Sequence, residues 1–176
     1  LILHSKIDHK EVDEDGKFKV LIMDSGAGVL SESIRKALFS VAKLDDFLFF
    51  VSAKFDTEQE NVRIIPQGAL MVDYVANMDL VIGRAGFNTI SECIGLRTPM
   101  LLIGEAMNPE MNENILLLKK QHLGSFISIQ TFEDGLGSYL PSFLKHEYNM
   151  IKTMMHKHEI ACNGAEIITN DMLNYL

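Results

Sequence analysis

Strands that are apolar on both faces, alternating with amphipathic helical stretches, predict a single Rossmann-like α/β domain. It should hold a parallel sheet of about six strands with helices on both faces. Three observations carry this expectation. Short runs of Val, Leu, Ile and Phe recur without in-and-out alternation, stripes of 3.6-residue period separate them, and glycine turns stand where strand passes into helix.

Residues 1–17 are polar and charged and read as a linker or arm, leaving residues 18–176 as the folded domain. Phe18 to Met23 reads as a buried strand that runs into Asp24-Ser25-Gly26-Ala27-Gly28. A helix follows, with Ile34, Ala37, Leu38, Val41 and Ala42 on one face. Phe47 to Val51 and Val62 to Ile65 are the second and third strands, and Ala69 to Ala76 reads as a helix. Leu80 to Ile82 is the fourth strand, Gly83 to Gly86 a turn, Asn88 to Leu96 a helix, and Met100 to Ile103 the fifth strand. Pro109 to His122 is helical, with Pro109 suited to a first turn, and Ser125 to Ile129 reads as the sixth strand. Beyond Thr131 the pattern is helical. Leu144, Tyr148, Ile151 and Met155 form one stripe, and after Asn163-Gly164, Ile168, Met172 and Leu176 form another.

With 176 residues the chain has the length of one domain able to bury a core, and 47% hydrophobic against 23% charged residues excludes general disorder. A net charge of −8 argues against nucleic acid as partner, because phosphate backbones need a basic face. It leaves room for a small phosphate ligand held by backbone N–H groups. Two cysteines, Cys93 and Cys162, make no disulfide framework, which points to a reducing, cytoplasmic setting. No apolar run approaches the roughly 18 residues of a membrane span. The chain opens on Leu1, consistent with a fragment of a longer protein.

Ligands of such sheets bind where strand ends meet helix starts. Three loops have the right composition. Ser25, Gly26 and Gly28 follow the first strand, where glycines let backbone N–H groups approach a phosphate; a tight turn without ligand explains them equally. Gly83-Arg84-Ala85-Gly86-Phe87-Asn88-Thr89-Ile90-Ser91-Glu92 follows the fourth strand. A pyrophosphate could sit at the helix start there, with the Thr89 hydroxyl beside it, and Glu92 one turn further on is placed to read a ribose diol; the alternative makes Thr89 and Glu92 ordinary capping or surface residues. Arg84 is the one cation these motifs supply. After the fifth strand, the polar helix start from Asn108 through Glu110 to Asn114 suits hexose hydroxyls, and a solvated helix terminus accounts for it as well. His156 and His158 diverge on a helix and make poor metal ligands. Met150, Met154 and Met155 fit a core stripe.

The second and third loops together resemble a known family. Met78 through Gly86, Asn88 to Glu92, Pro99, Glu110 and Asn114 look like the donor-binding half of the two-Rossmann-domain (GT-B) glycosyltransferases. The nearest group is glycosyltransferase family 28, which contains the undecaprenyl-pyrophosphoryl-muramoylpentapeptide N-acetylglucosaminyltransferase. The resemblance runs from about Lys19 to Asn163-Gly164-Ala165-Glu166, specific in its middle and generic at both ends. It implies a UDP-sugar donor. Ser25, Gly26 and Gly28 then match the diphosphate-facing loop, and Gly68 falls near the uracil-facing backbone. Gly86 and Thr89 match the phosphate-binding helix start, Glu92 the ribose-binding glutamate, and Glu110 a donor-sugar contact. Two positions depart from the pattern: Asp24 stands where paired glycines usually begin the first loop, and Met111 where a glutamine often touches the sugar. A carboxylate beside a diphosphate repels it unless turned away.

The resemblance further implies inverting transfer of a UDP-hexose, UDP-N-acetylglucosamine or another, to an acceptor hydroxyl. No cofactor or metal is implied. The catalytic base and acceptor groove are expected from an N-terminal acceptor-binding domain or a partner subunit, through which the protein would associate peripherally with a membrane. The isolated domain is then expected to be inactive. Other readings are a stand-alone catalytic subunit docked on a membrane-bound partner, a non-catalytic nucleotide-binding regulatory module, and, more distantly, an NAD-dependent dehydrogenase, against which Ser31 stands in place of a third glycine.

Overall fold

The computed structural model describes residues 16–24, 28–52, 54–55, 57–104 and 108–157. The chain begins with β1 (Phe18–Ile22), α1 (Ser31–Val41), β2 (Phe47–Ser52) and β3 (Val62–Ile65). Then come α2 (Met71–Val75), β4 (Leu80–Arg84), α3 (Phe87–Leu96), β5 (Met100–Ile103) and α4 (Pro109–Gln121). It continues through β6 (Ser125–Ile127) and α5 (Ile129–Phe143), and after a π-helical turn, Leu144–Tyr148, ends in α6 (Asn149–Lys157). The predicted second stripe after Asn163-Gly164, with Cys162 and His158, lies outside the described residues.

The six strands form one sheet in the order β3-β2-β1-β4-β5-β6, parallel throughout. Central strands are paired and covered on both sides, so no alternation survives in the sequence. Val20, Leu21 and Ile22 of β1 and all four residues of β5 are buried. Register is set by Val20 opposite both Phe49 and Leu80, and by Leu101 opposite Ser125. The order runs leftward from β1 to β3 and rightward from β4 to β6, so β1 and β4 are neighbours whose connections depart in opposite directions. Right-handed crossovers then put α1 on one face of the sheet and α2, α3 and α4 on the other. Such a switch point leaves a crevice outside the carboxyl ends of the two strands.

Two helices stack over the β1–β2 side. The face of α1 formed by Ile34, Ala37, Leu38 and Val41 is buried, as is the α5 face formed by Phe132, Leu136, Leu140 and Phe143. They meet closely at Gly137, whose N–H donates to Ser40 Oγ at 3.3 Å; a Cβ there would lie 2.1 Å from the Ser40 carbonyl oxygen. Pro141 interrupts the amide ladder of α5, and the wider π turn follows. This turn seats Tyr148 in the core, edge-on to Phe18 with ring centroids 5.2 Å apart. Burial, helped by the Asp79 charge, pushes the Tyr148 phenol up to about 12.

Several boundaries differ from the sequence expectation. β4 extends through Gly83 and Arg84, which were expected in a turn, because both continue the ladder opposite Leu102 and Ile103 of β5. β6 ends at Ile127; Ile129 opens α5 instead, since Ser128 caps that helix by accepting the Thr131 N–H at 3.1 Å. α2 is a short turn over Met71–Val75, with Ala69 and Leu70 outside it.

Candidate functional site

A cleft of about 490 Å³ opens at the β1/β4 switch point. Met23 and Asp24 line it from the end of β1, Arg84 from the end of β4, and Gly86, Phe87, Asn88, Thr89 and Glu92 from the start of α3. Met71 of α2 and Glu110 and Met111 of α4 complete the wall. Its size falls in the range of sites that hold small organic ligands. A hollow of about 570 Å³ between α1 and Phe55, Thr57, Glu58 and Gln59 is larger, but it shares no lining residue with the switch-point cleft.

The α3 turn is built to receive an anion. Gly86 precedes the helix in an extended conformation (φ −81°, ψ 152°), and its carbonyl accepts the Ile90 N–H at 3.2 Å. Among the described residues no side chain caps this terminus, so the first-turn N–H groups of Phe87, Asn88 and Thr89 point out toward the cleft side of the helix start. Thr89 and Glu92 stand three residues apart, on one face. Behind the turn, Asn114 Nδ2 donates to the Ala85 carbonyl at 3.0 Å and ties α4 to it. Asn108 caps α4 by accepting the Met111 N–H at 3.2 Å, with Pro109 in the first turn.

Glu92 is half-buried, and burial alone pushes its carboxyl above the ordinary range. Next to it Cys93 is fully buried, and burial, with the Glu92 charge, pushes its thiol up to about 12. That thiol is inert at neutral pH. Glu92 is therefore the acidic group of α3 that presents an acceptor to the cleft.

The β1–α1 turn is arranged differently. The Asp24 side chain is 1% exposed. Its Oδ1 accepts the Leu30 N–H at 3.1 Å, and its Oδ2 accepts the Ser31 hydroxyl at 2.6 Å and the Lys54 ammonium. Burial raises the Asp24 pKa, but the bonds from Lys54, Ser31 and Leu30 outweigh it and hold the carboxyl below its ordinary value. The carboxylate is turned into its own loop. Lys54, two residues past β2, is a cation beside these turns that their motifs do not contain; thirty positions separate it from its partner, too far for a local motif to show.

Of the predicted site residues, Arg84, Gly86, Asn88, Thr89, Glu92 and Glu110 come together on the cleft. Ser25 and Gly26 lie outside the described residues. Gly28, at φ +69°, shapes the β1–α1 turn, and Gly68, at φ +86°, is exposed after β3; neither lines the cleft, and Asn114 acts from behind it. Sequence reasoning missed Met23, Met71 and Phe87 in the wall, because apolar side chains at strand ends and helix starts carry no polar signal of a ligand.

A switch-point cleft at a helix start, on a parallel sheet in this order, defines a Rossmann-like domain. Residues 29–168 match the glycosyltransferase family 28 C-terminal domain, and the chain belongs to that family. No curated protein matches the chain. Among solved structures, MurG of Acinetobacter baumannii is similar at a TM-score of 0.67 and 16% identity, over 96% of this chain and 53% of that one. The spinosyn forosaminyltransferase SpnP is similar at 0.65 and 15%, over 94% and 46%. The spinosyn rhamnosyltransferase SpnG, in complex with thymidine diphosphate, is similar at 0.62 and 15%, over 81% and 40%. The chain therefore spans about half the length of these enzymes, or less. Among the described residues no helix is long and apolar enough to cross a membrane.

Proposed function

We propose that this domain is the donor-binding half of an inverting glycosyltransferase and holds a UDP-hexose, such as UDP-N-acetylglucosamine, for transfer to an acceptor hydroxyl. The observation that carries the reading is the pairing, in one cleft, of the uncapped α3 terminus with the half-buried Glu92. The helix N–H groups, the Thr89 hydroxyl and Arg84 hold the diphosphate; Glu92 accepts from the ribose 2′- and 3′-hydroxyls; Glu110 reads the sugar. In the transfer the acceptor oxygen bonds to the anomeric carbon while the bond from that carbon to the diphosphate breaks. The electron pair leaves on UDP, whose charge the α3 terminus stabilises. The acceptor proton goes to a base supplied by an N-terminal domain or partner subunit. Val29 (55% exposed), Leu70 (55%) and Phe87 (69%) follow β1, β3 and β4 respectively, and form the apolar rim such a partner would cover.

Titration with UDP, thymidine diphosphate and NAD tests the reading. UDP is expected to bind at least about tenfold more tightly than thymidine diphosphate, because a carboxylate placed for a diol loses a partner when the 2′-hydroxyl is absent. Equal affinity for both removes the ribose assignment, and binding of NAD without UDP overturns the reading.

A further inference from the structure

We infer that the outer face of the C-terminal half of α4, continued by Met150 of α6, is a docking surface for an anionic lipid bilayer. The inference is independent of the donor reading, because it concerns the end of α4 remote from the cleft. To cover a sheet a helix needs one apolar stripe, and in α4 the buried Met111 and Leu118 supply it, with the partly buried Ile115. Leu116 and Leu117 lie off that stripe and are 68% and 54% exposed; among the described residues nothing covers them. Lys119 follows Leu116 by three positions, and Lys120 follows Leu117 by three and Leu116 by four. Ammoniums and leucines therefore share one side of the helix. The Lys119 ammonium lies 5.2 Å from the centroid of the Phe126 ring, which holds this charge beside β6, the edge strand of the sheet. A hollow of about 280 Å³ joins Lys119 and His122 to Met150, itself 47% exposed, so the surface continues from α4 across β6 to α6. Two acidic side chains stand near it: Glu147, in the hollow, accepts the Ser125 hydroxyl, and Glu113 lies one turn toward the helix start.

Charge and area choose the occupant. The chain carries −8 overall, yet residues 119–157 hold five lysines against Glu133, Asp134 and Glu147. An anionic bilayer therefore repels most of the chain and attracts this end, which orients it. Leu116, Leu117 and Met150 are too few to centre the ~800 Å² per partner of a stable protein interface. A lipid surface needs less. Single apolar side chains enter the headgroup boundary while flanking lysines reach anionic lipids. Because α4 is about 20 Å long and meets the cleft at its start, through Glu110 and Met111, a bilayer against its far end leaves the cleft open.

The test is co-sedimentation of the full chain with vesicles of phosphatidylcholine alone and of an equimolar mixture with phosphatidylglycerol. Partitioning onto the mixed vesicles is expected to be at least about tenfold stronger and to weaken with added salt. Lys119→Gln/Lys120→Gln should cut it about tenfold, and Leu116→Ser/Leu117→Ser about fivefold. Lys43→Gln, at an exposed lysine between α1 and β2, should change it by less than about twofold. All five positions are exposed, and far-UV circular dichroism checks that each variant folds. Equal or absent partitioning onto the two kinds of vesicle overturns the inference, as does undiminished partitioning of both double variants. An equal loss in Lys43→Gln also overturns it, by making the attraction diffuse. Self-association in sedimentation velocity that the leucine double variant abolishes, without vesicle binding, assigns the face to protein contact and overturns the lipid assignment.

Discussion

Two acidic residues beside the β1/β4 switch point are treated in opposite ways. At the β1–α1 turn, Asp24 is surrounded by donors and its pKa falls despite burial. On α3, Glu92 is half-buried, among the described residues burial acts on it without an offsetting bond, and its pKa rises. One carboxylate completes the protein's own structure. The other is held at a cost that a hydroxyl-bearing ligand would remove. Carboxylates lining one cleft from two strand–turn–helix units can therefore serve folding or binding, and the local hydrogen-bond inventory separates them better than the glycine pattern does.

The contrast can be broken in order of expected size. Glu92→Ala should weaken UDP binding by about 1.5–3 kcal/mol in a calorimetric titration, the range for hydrogen bonds to a charged group. Asp24→Asn should leave the Lys54 ammonium without its counter-charge and lower unfolding stability in urea by about 1 kcal/mol, a figure already discounted because Lys54 is 41% exposed. The pH dependence sharpens the same point. With its folded pKa below the ordinary 3.8, Asp24 contributes stability that is present at neutral pH. That contribution is lost as pH falls from about 3.8 through the folded value, so wild type and Asp24→Asn should converge there in acid unfolding curves.

For Glu92 the sign reverses. Its folded pKa lies above the ordinary 4.5, so its favourable contribution is complete below 4.5 and lost as pH rises through the folded value. Glu92→Gln should therefore be slightly more stable than wild type at pH 7 in the absence of nucleotide, by under about 0.5 kcal/mol after solvent screening. Urea unfolding that shows the Gln variant less stable at pH 7 would contradict the contrast.

The sheet was legible because its strands are short apolar runs without polar alternation; Val62–Ile65 and Met100–Ile103 match their expected limits. Limits failed where tertiary pairing overrode local preference. Gly83 and Arg84 look like a turn, but the β5 ladder makes them strand. Ile129 looks like strand, but the Ser128 cap makes it helix. The α3 side of the cleft was readable because Gly86, Asn88, Thr89 and Glu92 are adjacent in sequence and act through one helix terminus. The β1–α1 side was not. Its character depends on Lys54, which arrives from β2 only once the sheet has formed. Asn114 was legible as polar and as part of a motif, but its bond to the Ala85 carbonyl follows from how α4 lies against the β4–α3 turn.

Backbone amide chemical shifts followed by NMR during UDP addition test the central claim most directly. The N–H signals of Phe87, Asn88 and Thr89 should move in proportion to bound nucleotide, while those of Leu30, which donates to Asp24, and Ser31, which donates to the Gly28 carbonyl, stay in place. Movement centred on Leu30 and Ser31, with the α3 amides unmoved, would contradict the account.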